Sequence, residues 1–239
     1  MARQNVYDNE RFFDGYQAMR DAQSGINEAV EQPAMLARLP DLAGAVVVDL
    51  GCGDGGLCRE MIHRGAARAV GIDPSARMLD LARKRSADKR IEYQQCFAED
   101  LRFPDRSVDL VVSSLALHYV ADLAGTINSV SRWLRPGGQL LASMEHPVAT
   151  AAPHLGPHPC VVAGYCDEGE RDTTWYISGV IKYHRRVSTI VNTVLASGLD
   201  LVEIDEPAPT PESLAARPDL DRHRQRPPIL IISARKPPI

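Results

Sequence analysis

Apolar residues recur along this chain in two rhythms. Phe12, Phe13, Tyr16 and Met19 fall at helical spacing within residues 8–20, which predicts an amphipathic helix. Pro33 suits the first turn of a second, short helix that runs to Leu39. The rhythm then changes. Residues 45–50 are almost entirely apolar, as a strand covered on both faces must be. Further strands are expected over 69–73, 90–95, 108–113 and 139–145, with helices between them over 55–64, 75–85 and 122–134. Ser75 is placed to cap its helix, Gly65 to close the helix before it, and Pro136-Gly137-Gly138 to end the third. Repeated strand–helix–strand units of this kind build a doubly wound α/β sheet with right-handed crossovers.

The alternation stops at His146. Prolines, glycines and histidines gather up to about Tyr176, which reads as an irregular lid over the strand ends. A helix over 187–197 and strands over 199–205 and 229–234 resume the pattern. The link between those two strands is proline-rich and charged, with room for one short helix. The expected organisation is a single domain: an N-terminal helical cap (1–40), a core (41–146), a lid insertion (147–186) and a C-terminal helix with strands (187–239).

Composition narrows the class. The 239 residues are 44% hydrophobic and 24% charged, with a net charge of −4 and both signs mixed, so a sizeable core is expected. No basic run suggests nucleic acid, no apolar run suits a membrane span, and the polar N-terminus lacks the apolar core of a signal peptide. Cytoplasmic residence is the expectation, as a monomer or homodimer. Five loosely spaced cysteines argue against a disulfide framework. His154, His158, Cys160 and Cys166 have ligand chemistry, but their spacing matches no usual zinc pattern, so no metal is expected.

The strongest chemical signal is VVVDLGCGDGGL, residues 46–57. Glycines after a buried strand let the chain turn tightly and let a ligand approach the backbone. The following helix aims its N–H groups at the loop, which suits a pyrophosphate or an amino-acid carboxylate equally. Asp73 ends the next strand, where an acid can take both hydroxyls of a ribose. Gly51, Gly53 and Gly56 fit the dinucleotide spacing, and Gly51, Gly53 and Gly55 the spacing of S-adenosylmethionine enzymes. A nicotinamide oxidoreductase and a methyl-transfer enzyme are both open on the loop alone, as is a non-catalytic cofactor-binding module.

Four further segments bear on the choice: Gly71-Ile72-Asp73-Pro74-Ser75 with Met78; Phe97-Ala98-Glu99-Asp100 with Phe103-Pro104-Asp105; Asp109 to Ser114; and Trp133-Leu134-Arg135-Pro136-Gly137-Gly138. With Asp49-Leu50-Gly51-Cys52-Gly53-Asp54-Gly55, these resemble, in order, the motifs of the class I S-adenosylmethionine-dependent methyltransferases. The resemblance covers nearly the whole chain. It implies a Rossmann-like, seven-stranded, mostly parallel sheet with N-terminal helices and a lid after strand five. It also implies S-adenosylmethionine as donor and S-adenosylhomocysteine as product. Asp49 opens the first motif, and Cys52 is a small residue within it. Gly51 and Gly53 would approach the methionine part, Asp73 with Pro74 the ribose, and Met78 the adenine. Ala98 and Glu99 would border the base, and Ser114 and Leu115 would lie under the sulfonium. Phe97 stands where many members have an acid. It can stack on the base or pack in the core.

The acceptor side is less marked. Tyr16 and Arg20, one turn apart, are candidates to close over the cofactor carboxylate. His118 follows strand four, as a base or as a helix cap. Glu145-His146-Pro147 follows strand five, where an acid can raise the basicity of an imidazole. Lys182-Tyr183-His184-Arg185 precedes the helix over 187–197 and adds Tyr183 and His184 as candidates. With Phe12, Tyr16, Glu145-His146 and Trp175, these residues resemble one bacterial branch of small-molecule methyltransferases. Tyr7, Phe12, Tyr119, Trp175 and Tyr183 are the candidate acceptor residues. They point to an aromatic or indole-type natural product methylated on N, O or C.

Overall fold

The computed structural model describes residues 3–22, 25–151 and 164–238. The central sheet has seven strands in the order β3-β2-β1-β4-β5-β9-β8. They are β1 (Val46–Leu50), β2 (Arg68–Asp73), β3 (Ile91–Gln95), β4 (Val108–Ser113), β5 (Leu134–Glu145), β8 (Asp200–Asp205) and β9 (Ile229–Arg235). β1 to β5 are parallel, and β9 runs antiparallel to both β5 and β8. The strand order reverses between β1 and β4, so their carboxyl ends open a crevice there.

Successive side chains on a strand face opposite ways, so the apolar runs fill two cores at once. Val48, Val70, Val111 and Leu140 face one side, under Ile127, Val130 and Trp133 of α5 (Leu123–Trp133) and Ile190 and Val194 of α7 (Val187–Ala196). Val47, Ala69, Leu110 and Leu141 face the other, under Met61 and Ile62 of α3 (Gly56–His63) and Leu79 of α4 (Ala76–Arg85). Ser75 caps α4 by accepting from the Met78 N–H at 3.1 Å.

The N-terminal helices also form. Asn9 caps α1 (Glu10–Asp21), and a π-helical turn, Asn27–Glu31, leads into α2 (Gln32–Ala37). Phe12 is fully buried among Tyr7, Trp175 and Tyr176, with edge-on ring contacts of 4.9–5.7 Å.

Two expectations are corrected. The stretch read as irregular contains α6 (Pro147–Ala151) and β6 (Gly169–Trp175), and β6 pairs as a hairpin with β7 (Ile177–His184), which takes in Lys182, Tyr183 and His184. Tyr176 turns that hairpin at φ +58°, without the glycine or asparagine that announces a tight turn. An isolated hairpin is marginal in water. This one is held because Thr173, Val180, Lys182 and His184 are buried. Second, the link before β9 carries two helices, α8 (Pro211–Ala216) and α9 (Arg222–Gln225), where one was expected.

Candidate active site

A cavity of about 840 Å³ opens at the carboxyl ends of β1, β2, β4 and β5. Its floor at one end is the glycine loop. Gly51 and Gly53 take positive φ (79° and 53°), a conformation that side chains resist. A Cβ on Gly51 would stand 2.4 Å from the Cβ of Ala116, so the loop lies tight against the end of β4. Cys52, between the two glycines, is buried and borders the cavity.

Asp73 faces the loop. Its carboxylate accepts from the Gly53 N–H at 2.9 Å and the Ser75 N–H at 2.8 Å. Each oxygen retains acceptor capacity toward the cavity, as a ribose diol requires. Burial pushes this carboxyl up to about 6, against the pull of its two backbone donors. Asp49 lies deeper. It accepts from Cys58 Sγ at 3.6 Å through one oxygen, its other oxygen has no partner, and burial pushes it up to about 7.

Pro74, Met78, Phe97, Ala98 and Glu99 line the next stretch of wall. Phe97 carries Arg3 against its ring, 5.4 Å from the centroid. Glu99 is fixed by the Ala121 N–H at 3.1 Å. Under the middle of the cavity lie Ser114 and Leu115. Leu115 is held at φ +51° because its N–H reaches both the carbonyl (3.1 Å) and the hydroxyl (2.9 Å) of Ser143. Glu31, fully buried, accepts from the Ser114 and Ser143 hydroxyls and ties this strand end to the N-terminal helices. Tyr16 and Arg20 line the cavity from α1, with Arg20 paired to Glu28 at 2.7 Å.

The far end is walled by Tyr7, Tyr119 and Trp175. Glu145 enters it from β5 and Lys182 from β7, and the two form an ion pair. The Lys182 ammonium also lies 5.4 Å from the Trp175 ring centroid and 5.9 Å from that of Tyr119. His118 borders the same space. Its Nδ1 accepts from the Glu145 N–H at 3.3 Å, so a neutral ring carries its proton on Nε2, 4.0 Å from the Glu145 carboxylate. Burial holds His118 down to about 4, so it is neutral at pH 7. Burial alone would raise Glu145, but His118 and Lys182 together outweigh it and hold the carboxyl below its ordinary value. With His118 uncharged, Lys182 is the paired cation that favours the ionised Glu145, and Arg226 adds to its effect.

Four candidates do not reach the cavity. His146 donates through Nε2 to Glu206 at 2.7 Å and accepts the Val148 N–H on Nδ1, which starts α6. His184 spends both nitrogens on Thr150 and the Tyr165 carbonyl. Phe12 is packing within the aromatic cluster. Tyr183 points away, toward Glu170 on the outer face of the hairpin. Strand alternation explains this: on β7 the buried positions are Val180, Lys182 and His184. Lys182 was thus overlooked for its neighbours. The alternation of buried Val180, Lys182 and His184 with Ile181 and Tyr183 is the period-two signal of a strand. His154, His158 and Cys160 lie outside the described residues; Cys166 is exposed.

The residues present fit S-adenosylmethionine. A glycine cradle, a ribose acid and an unpartnered buried carboxylate oxygen surround one half of the cavity, while the other half is separately walled. Among the described residues no helix is long and apolar enough to cross a membrane.

Comparison with known proteins agrees. A model of the methyltransferase domain matches residues 48–142. An S-adenosylmethionine-dependent methyltransferase from Mesorhizobium loti shares 39% identity, with 89% of this chain and all of that one covered, at a TM-score of 0.83. A Haemophilus influenzae protein without assigned function is 32% identical across 97% of both chains. A ubiquinone biosynthesis O-methyltransferase of Sinorhizobium medicae is 28% identical over 68% of this chain and 62% of its own. These likenesses settle the donor in favour of the sulfonium over a nicotinamide: the chain belongs to the class I S-adenosylmethionine-dependent methyltransferases.

Proposed function

We propose that this enzyme methylates a nucleophilic atom of a small aromatic molecule held between Tyr7, Tyr119 and Trp175. The observation that carries this reading is the far end of the cavity, where a buried Glu145–Lys182 pair sits among aromatic rings. When bound, the cofactor supplies an electrophilic methyl group, so the hard chemistry is its own. The chain holds the acceptor in line and keeps water out, which is chiefly proximity and orientation.

Glu145 is the candidate general base for an acceptor that bears a proton. It is ionised, it faces the cavity, and its carboxylate is fixed by Lys182. His118 is a positioning residue, since one nitrogen takes a backbone N–H and the other already carries a proton directed at Glu145. The rings supply area without much conformational entropy to lose, which suits a flat acceptor. The Sinorhizobium medicae relative, by its name an O-methyltransferase of ubiquinone biosynthesis, supports an oxygen acceptor.

The test is a panel of phenols, aryl amines and indoles incubated with S-adenosylmethionine and followed by mass spectrometry. At least one member should gain a single methyl group with stoichiometric S-adenosylhomocysteine. Methylation of protein or nucleic acid in a parallel incubation, with the panel untouched, would sink the small-molecule reading.

A further inference from the structure

The hairpin brings more positive charge to the acceptor end of the cavity than that end balances. Arg171 on β6 stands in register opposite Lys182 on β7, so both side chains leave the same face. Both line the cavity, as do Thr173 and Trp175 from that face. Glu170 and Asp172 alternate onto the exposed outer face. Like charges directly opposite on a strand pair repel, with Cβ atoms about 5 Å apart.

The described residues offer one acid to these two cations. Of the carboxylates lining the cavity, Asp49, Asp54, Asp73 and Glu99 belong to the cofactor half, and Glu145 to the acceptor half. Glu145 is committed to Lys182, and Arg226 acts on it in the same sense. The half-buried Arg171 has no carboxylate partner among the described residues. Its Nη atoms donate to the main-chain carbonyls of Glu170 at 3.0 Å, Gly164 at 3.4 Å and Asp167. Those bonds fix the guanidinium without cancelling its charge. Residues 152–163 contain no Asp or Glu, so the missing anion does not come from them. A guanidinium is weakly hydrated, and its planar fork suits a carboxylate.

We propose that Arg171 anchors a carboxylate carried by the acceptor, so that the enzyme selects an aromatic acid and methylates another of its atoms, the one that Glu145 faces. The inference rests on the small-aromatic reading above and narrows it to an anionic class. The bound carboxylate relieves the repulsion between Arg171 and Lys182. It also holds the acceptor by a point away from the reacting atom, which is how a remote contact orients a substrate.

The probes are matched pairs: hydroxybenzoate, aminobenzoate and indole carboxylate isomers, each beside its primary amide, which keeps the shape and removes the charge. They are incubated with S-adenosylmethionine alongside the neutral phenols, aryl amines and indoles. The parent should methylate an acid, away from its carboxylate, with kcat/KM on the order of tenfold above that of its amide, as one charge-assisted contact provides. In Arg171→Gln, KM for that acid should rise on the order of tenfold with kcat nearly unchanged, a loss of binding alone. The amide should react as in the parent, which reports an intact site. Arg171→Lys should recover part of the preference. Acids and amides methylated equally well, neutral panel members methylated while every acid is refused, or a methyl ester as product each overturn the proposal. So does an Arg171→Gln variant that slows acid and amide alike, which marks Arg171 as a structural residue. If no aromatic compound of either kind is methylated, the small-aromatic reading itself fails, and this inference with it.

Discussion

Asp73→Ala is expected to weaken S-adenosylhomocysteine binding on the order of a hundredfold. The carboxylate is buried, and its two backbone donors hold it with both oxygens free to accept from a ribose. Two hydrogen bonds to a charged acceptor are together worth about 3 kcal/mol. Removing the side chain also leaves the Gly53 and Ser75 N–H groups without their partner, which loosens the glycine loop. Calorimetry checks the affinity, and a thermal melt separates lost binding from lost folding. The parent protein should show the matching pH dependence. Ribose hydroxyls favour the ionised carboxylate, and burial sets its free value at about 6. Affinity should fall as the pH drops through that value. Stability runs the other way. A carboxyl raised in the folded state binds its proton more tightly than the unfolded chain does, so its contribution grows as pH falls from 6 toward 4. A mutant that binds normally, or an affinity independent of pH between 5 and 7, would place the ribose elsewhere.

Lys182→Met should depress turnover on the order of a hundredfold while leaving cofactor affinity within about twofold, the range of a lost general base and its orienter. Methionine keeps the length and the ring contacts but removes the charge. Glu145 is then a buried carboxylate beside a neutral histidine. Such a group picks up a proton unless paired. The pH–rate profile should therefore move its acidic limb upward in the variant. Raising the pH should recover part of the activity. Equal loss of turnover and cofactor affinity would mark Lys182 as a structural residue of the hairpin, and unchanged turnover would remove Glu145 from the chemistry.

The two halves of the cavity differ in how legible they were. Around the cofactor, the signals are local. A strand, a glycine turn and a helix start occupy consecutive residues, and Asp73 follows one strand later. Every residue expected there lines the cavity, because strand ends carry it there. The acceptor half is assembled from distant segments. Glu145 meets Lys182 only because β6 and β7 pair and pack against the segments that follow β4 and β5. That hairpin has a tyrosine at its turn and charged residues on its outer face, so its sequence resembles a loop. Once the pairing is known, period two selects Lys182 inward and Tyr183 outward. His146 and His184 are plausible catalytic candidates by position, but each has both nitrogens satisfied by neighbours that no linear pattern reveals.

The most direct measurement is a crystal structure with S-adenosylhomocysteine bound. The ribose should lie on Asp73, and the sulfur above Ser114 and Leu115, facing Glu145 and Lys182. A ligand whose sulfur faces away from the Glu145–Lys182 pair, or whose ribose leaves Asp73 untouched, would contradict the account.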